Sequence, residues 1–175
     1  MTLIQVSRGD DPVDGASGFV PGMSTSIYAA LDAIGTMIRF QRAVPNKTGT
    51  AILQSLLAID LDGIGAAMDL FLFDRNIASG GNDNAIWAPS DADLASLIGV
   101  VNILAADWVA VDTGGANPTK VAQLRGLSTP ILVPETSGNG SMENRAAIFG
   151  RLVARDTPTF TSTFPLIIKL GLIQE

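Results

Sequence analysis

Carboxylates carry most of the chemistry open to this sequence, because it contains neither histidine nor cysteine. That removes the commonest general base, the commonest zinc ligand, any His-containing triad, a thiol nucleophile and any disulfide. Asp60-Leu61-Asp62-Gly63 opens like a calcium loop. The fifth and twelfth positions of such a loop need oxygen ligands and here fall on Ile64 and Phe71, so these acids read as a strand end and turn. Asp74, Asp83, Asp91, Asp93 and Glu143 lie in loop-like stretches. A close pair could do glycosidase-type acid–base work, but nothing in their spacing brings two together, and they read as solvated loop acids. Ser79 and Ser90 have no histidine to activate them and no G-x-S-x-G elbow around them. Gly63-Ile64-Gly65 and Gly114-Gly115 lack the Lys-Ser/Thr and the helix of a phosphate loop. The expectation is a chain without catalytic residues, metal or cofactor.

Binding chemistry is scarcely better marked. Trp87, Trp108 and Tyr28 are candidate stacking platforms for a sugar, with core the stronger reading for Trp108. Arg8-Gly9-Asp10 is an adhesion tripeptide without a hairpin to present it, and Asn46-Lys47-Thr48 and Asn139-Gly140-Ser141 are sequons that matter only in a eukaryotic secretory pathway. The eleven Lys and Arg are scattered and the net charge is −6, which argues against nucleic acid and against anionic membranes. Residues 1–15 show no basic region followed by an apolar stretch, so no signal peptide is expected. Leu94–Val111 is apolar, but Asn102 and Asp107 interrupt it and Asp91, Asp93 and Asp112 flank it. Spanning a bilayer would bury an aspartate at about 3 kcal/mol, so a buried pair of strands is expected instead.

The elements that would position these residues are strands. Hydrophobic residues make up 47 % of the chain and charged residues 16 %, which calls for a large core, a large interface or both. Residues 1–26, rich in Gly, Asp, Ser and Pro, read as a flexible or extended arm, and residues 27–175 as one domain. Ser26–Ile34 is ambiguous between helix and strand and ends at Gly35; Thr36–Val44 alternates as a half-solvated strand, with Ile38 and Phe40 facing one way and Arg39 and Gln41 the other. After the Pro45–Gly49 turn cluster comes the most apolar part of the chain, which reads as a hairpin: Ala51–Leu61, a Gly63-Ile64-Gly65 turn, and Ala67–Phe73. Residues 36–73 would then be a three-stranded meander. Met68, Leu70 and Leu72 share one face of the last strand, and Asp69, Phe71 and Phe73 the other.

Downstream, Asp74–Asp93 is a polar connection with a short strand at Asn84–Trp87, and Ser90 caps a short helix near 91–97. Strands are expected at Ile98–Leu104, Trp108–Val111, Val121–Leu124, Ile131–Val133, Ala146–Arg155 and Leu166–Ile173, with an alternating segment at Thr157–Pro165 and an exposed loop at Pro134–Asn144. Ile148, Gly150, Leu152 and Ala154 share one face and Arg151 and Arg155 the other, while Leu166, Ile168, Leu170 and Leu172 would face inward and Lys169 outward. About nine or ten short strands with frequent turns make a mainly β, single-domain β-sandwich of jelly-roll type.

Leu53-Gln54-Ser55-Leu56-Leu57-Ala58-Ile59-Asp60 followed by Asp69-Leu70-Phe71-Leu72-Phe73-Asp74 resembles a run in several virion structural proteins of tailed bacteriophages. Asn84-Ala85, the Ser90–Leu94 turn, Gly150–Thr159 and Leu170–Gln174 are similar as well, so the resemblance extends from Tyr28 to the C-terminus. The motifs are apolar patterns rather than chemical signatures. The resemblance implies a β-sandwich capsid decoration (cement) protein, a homotrimer whose partner is the major capsid protein, or a related head or tail component. It implies no catalytic residues. The location would be the virion, assembled in the bacterial host cytoplasm. With so few charges to solvate a second sheet face, an oligomer contact is expected there, at Phe71 and Phe73, with the N-terminal arm lying across a neighbour. A tail or fibre component, or a carbohydrate-binding adhesin-like sandwich, is the competing expectation.

Overall fold

Alternating side chains build the strands of this protein, and the chain pairs them from the outside in. The computed structural model describes residues 2–7, 20, 22–40, 43–44, 50–77, 81–112, 117–132, 147–163 and 165–174. Among these lie nine strands: β1 (Thr2–Ser7), β2 (Ala33–Phe40), β3 (Thr50–Asp60), β4 (Met68–Phe73), β5 (Leu97–Ile103), β6 (Trp108–Ala110), β7 (Lys120–Leu132), β8 (Ile148–Ala154) and β9 (Leu166–Gln174). They form a five-stranded sheet in the order β1-β9-β3-β7-β6 and a four-stranded sheet in the order β2-β8-β4-β5. The antiparallel pairs are nested: β1 with β9, β2 with β8, β3 with β7, β4 with β5. A long hairpin rolled so that successive pairs alternate between two sheets is a jelly roll, and the expected sandwich is the observed one.

The core lies between the sheets. Leu53, Leu56 and Ala58 of β3 and Leu166, Ile168, Leu170 and Leu172 of β9 meet Ile38 and Phe40 of β2, Met68, Leu70 and Leu72 of β4, and Ile148, Leu152 and Ala154 of β8. The two faces read from the alternation of β4 and β8 are the observed ones, and the inward positions expected of β9 are in the core. Gly150 is inward because nothing larger fits: a Cβ there would sit 2.8 Å from Phe40 Cε2 and 2.9 Å from Leu70 Cδ1. Gly35, at φ +66, lies inside β2 where the β2–β8 register shifts, so it bends a strand rather than ending one.

The strands stand where alternation puts them, but several pairings differ from expectation. β3 and β4 are not a hairpin. β3 pairs with β7 and β9 in one sheet and β4 with β5 and β8 in the other, so residues 61–67 cross the sandwich. The connection is pinned for that crossing. Asp60, fully buried, accepts the backbone N–H of Asp62 at 3.0 Å and of Gly65 at 2.7 Å, Gly63 and Gly65 take left-handed φ, and Lys120 Nζ donates to the Ile64 carbonyl at 3.0 Å. The 36–73 meander fails for the same reason, since no two of β2, β3 and β4 are neighbours. β5 and β6 likewise belong to different sheets, with a 3₁₀ turn at Ala105–Asp107 between them. The two strands expected at 121–124 and 131–133 are one strand, β7, which keeps pairing with β3 through a register shift near Gly126 (φ +69) and Ser128 (φ +51).

Three further expectations need revision. Thr2–Ser7, read as arm, is a strand on β9; residues 8–19, with the Arg8-Gly9-Asp10 triplet, lie outside the described residues, as do Gln41, 45–49 and 133–146. Helix α1 is Asp91–Leu94, closed by a capping box between Ser90 and Asp93, and ends early because Leu97 already pairs with Phe73. The segment 157–163 turns across the end of the sandwich without strand pairing, sending Phe160 inward against Tyr28 at 5.9 Å between ring centroids. Among the described residues no helix is long and apolar enough to cross a membrane.

Candidate functional site

The outer face of the four-stranded sheet is covered in part by the chain itself, although Val100 at its edge strand stays 42 % exposed. Its cross-strand rows are Arg151, Phe71 and Val100, and beside them Arg39, Phe149, Phe73 and Leu97. The connection after β4 returns over these rows. Ile77 joins Phe73, Ala147 and Phe149 in a second small core, and Trp87 lies 5.7 Å from the Phe71 ring and 6.1 Å from the Phe73 ring. The 31–33 and 84–87 backbones are laced together: Ala33 N–H donates to Ala85 O, Asn84 N–H to Ala33 O, and Trp87 N–H to Leu31 O. The short strand expected at Asn84–Trp87 is reduced to one bridge, Asp32 with Ile86.

That cover changes the reading of Phe71 and Phe73. Both face away from the main core, as the alternation requires. Phe73 is fully buried within the chain and has no surface to offer a second copy; Phe71 is half-buried against Trp87. The apolar character of that second face is therefore largely absorbed inside one chain. The sequence signal was present in Ile77 and Trp87, two large apolar side chains in an otherwise polar connection.

Arg151 stands on the face of β8 opposite Ile148, Gly150, Leu152 and Ala154, as alternation requires, yet is only 4 % exposed. Its Nη2 donates to the Gly81 carbonyl at 2.9 Å, and its guanidinium carbon lies 5.9 Å from the centre of the Trp87 ring, within cation–π range. Its buried Nε has no hydrogen-bond partner. Beside it opens a cleft of about 500 Å³ lined by Thr36, Met37, Ile77, Gly81, Asn82, Asp83, Trp87 and Arg151. Asp83 is fixed from below, its Oδ1 accepting Tyr28 Oη at 2.7 Å and Gly35 N–H at 2.5 Å. Burial, then the bond to Asp83, push the Tyr28 phenol far above its ordinary 10.0. Burial pulls the Arg151 guanidinium down, and the charges of Asp83 and Tyr28 pull it back up. Tyr28 is wholly buried and Trp108 nearly so, with its indole N–H bonded to Ala66 O at 2.9 Å, so of the three aromatic candidates Trp87 alone borders an open site.

The outer face of the five-stranded sheet is different. Val109, Val121, Ile59 and Ile167 stand in register across β6, β7, β3 and β9, pointing away from the core. Val109 is 64 % exposed and the other three are half-buried. A second row places Leu57 between Gln123 and Lys169, and farther along Ile52 stands beside Ile173. Charge on these strand positions is limited to Lys169 and Arg125, although the chain as a whole carries −6. The carboxylates lie elsewhere. Asp69, on the opposite sheet, is buried between Asn102 Nδ2 at 2.6 Å and Arg155 Nε at 2.5 Å. Asp62 caps the 161–162 turn by accepting two backbone N–H groups, and burial pushes the Asp60 carboxyl up despite the N–H bonds that pull it down. Among the described residues no group of three or more acidic side chains is placed to hold a metal ion.

No family model matches this sequence, and no curated protein matches it.

Proposed function

We propose that this chain is a non-enzymatic virion structural protein that oligomerises, as a homotrimer, and stabilises a tailed-phage capsid by binding over junctions between major capsid proteins. The observation that carries the reading is the apolar Val109–Val121–Ile59–Ile167 row, which points outward from the five-stranded sheet, whereas on the other sheet Ile77 and Trp87 of the same chain pack over Phe71, Phe73 and Phe149. An outward apolar row, exposed at Val109 and half-buried along the rest, with two cations and no carboxylate on the outward strand positions around it, suits a protein partner more than water. The resemblance of the Leu53–Asp60 and Asp69–Asp74 runs to phage virion proteins names the class of partner, and the jelly roll is compatible with it. The mechanism is mechanical: apolar area buried across a junction adds contacts that the shell proteins do not make among themselves.

Light scattering on the purified protein, followed by sedimentation with phage shells lacking any decoration protein, tests the reading. A trimer that saturates the shells supports it. A monomer without affinity for shells sinks it.

A further inference from the structure

We propose that the cleft between the Gly81–Trp87 segment and the four-stranded sheet is a binding site for a neutral sugar ring. This is a function separate from capsid binding, and it uses the opposite sheet. The cleft, about 500 Å³, is large enough for one or two rings. Its charge is balanced: Arg151 and Asp83 both line it, so a free anion meets the aspartate and a free cation meets the arginine. Its two charged groups are fixed in place. Arg151 is more than nine-tenths buried and Asp83 is half-buried, and the bonds that fix Asp83 from below are both made to its Oδ1.

The rest of the lining supplies what a sugar needs. Trp87, Met37 and Ile77 give an apolar wall for the C–H face of a pyranose, and Thr36, Asn82 and Asp83 give donors and acceptors for its hydroxyls. An uncharged ligand with an apolar face and adjacent hydroxyls satisfies both charged groups at once. The two charged side chains are also held in place before any ligand arrives, Arg151 by Gly81 O and the Trp87 ring, Asp83 by Tyr28 and Gly35. Ordering them costs a ligand little.

The test is a titration of the purified full chain, followed by the two tryptophan indole N–H resonances, with glucose, galactose, mannose and N-acetylglucosamine as neutral probes and glucuronate and phosphate as anionic ones. A neutral sugar should shift the Trp87 signal with a dissociation constant on the order of 1 mM, while Trp108, bonded to Ala66 O in the core, stays fixed. Thr36→Arg, a change at an exposed position that fills the cleft, should weaken that binding by about tenfold or more and leave the Trp108 signal in place. The proposal is overturned if no neutral sugar moves Trp87 by about 50 mM. It is equally overturned if only the anions bind, or if Thr36→Arg binds as the parent does. Shell binding is measured separately, so failure here leaves the capsid reading standing.

Discussion

Tyr28 Oη donates to Asp83 Oδ1 at 2.7 Å, tying the loop before β2 to the segment that covers the four-stranded sheet. The same phenol oxygen accepts the N–H of Ser24 at 2.8 Å. One buried hydroxyl thus fixes two chain segments and one wall of the cleft. Tyr28→Phe should cost about 1–3 kcal/mol, because it strands a buried acceptor and a donor together. It should also change the alkaline limb of the stability curve. The phenol is raised in the folded state, so its contribution is whole below its ordinary 10.0 and is lost as pH rises toward the folded value. Urea melts of parent and variant between neutral and alkaline pH check both effects; parallel curves above pH 10 would contradict the second.

Gly150→Ala should destabilise by about 1–3 kcal/mol, since the new methyl would meet the Phe40 ring edge and Leu70, both fully buried and unable to yield. Gly126→Ala makes the comparison clean. Nothing lies within 4 Å of its added Cβ, and only the left-handed φ of +69 opposes the change, a cost of about 1–2 kcal/mol. Thermal melts of the two variants separate a steric from a conformational penalty. The Gly150 variant should retain strand signal but lose near-ultraviolet aromatic structure around Phe40.

Side-chain alternation, a property of a few consecutive residues, was enough to place the inward faces of β4, β8 and β9. Strand partners were not legible in the same way. The nested pairs of a jelly roll join Thr2 to Gln174 and Ala33 to Val153, while Asp60 and Met68, close in sequence, go to different sheets. Nothing local distinguishes a tight turn from a crossing of the sandwich. The distinction lies in Lys120, which reaches Ile64 from a strand far along the chain. Arg151 shows the same limit. Alternation puts it on the outward face of β8, but its burial there beside Gly81 and Trp87 depends on segments far apart in sequence. Of the cleft, Trp87 alone was marked as a binding candidate by residue type; Asp83 and Arg151 joined it through tertiary contacts between chain segments far apart in sequence.

Asp60 gives the chain an unusual response to acid. Desolvation raises its carboxyl above the ordinary 3.8, so the folded state holds its proton more tightly than the unfolded state does. The linked stability is whole below the ordinary value and is lost as pH rises through the folded one. Asp60→Asn removes that titration, and removes one acceptor for the Asp62 and Gly65 N–H groups as well. The variant should be less stable than the parent at every pH, with the gap narrowing as pH rises through the carboxylate range. Denaturant titrations across acidic to neutral pH read the gap directly, and a gap that widens with pH would overturn the assignment.

Phe73 and Phe71 should respond differently. Phe73→Ala opens a cavity among Ile77, Ala147 and Phe149 and should cost about 3–5 kcal/mol without changing the oligomer number of whatever still folds. Phe71→Ala, at a half-buried position against Trp87, should cost less and loosen the Trp87 ring. Melting curves with light scattering distinguish this from the surface role expected from sequence alone. A Phe73 variant that stays fully stable but dissociates would restore the surface role.

The row on the five-stranded sheet makes the opposite prediction. Val121 lies between Val109 and Ile59, half-buried on the outward face of the sheet, so Val121→Lys leaves the core between the sheets intact and the lysine's long stem can lie along the apolar row. Surface changes of this kind usually fall within about 0.5 kcal/mol of the parent. In an assembled contact, the same lysine would have to be desolvated against apolar neighbours or hold the partner away. Monomer stability should therefore be nearly unchanged while assembly, shell binding or both are lost, and Ile59→Lys should behave alike. Gln123→Lys, one row along at an exposed position, controls for added charge and should keep both. If the two row variants assemble and bind shells as the parent does, the contact lies elsewhere on the molecule, and the row is an ordinary apolar strip on a solvated sheet.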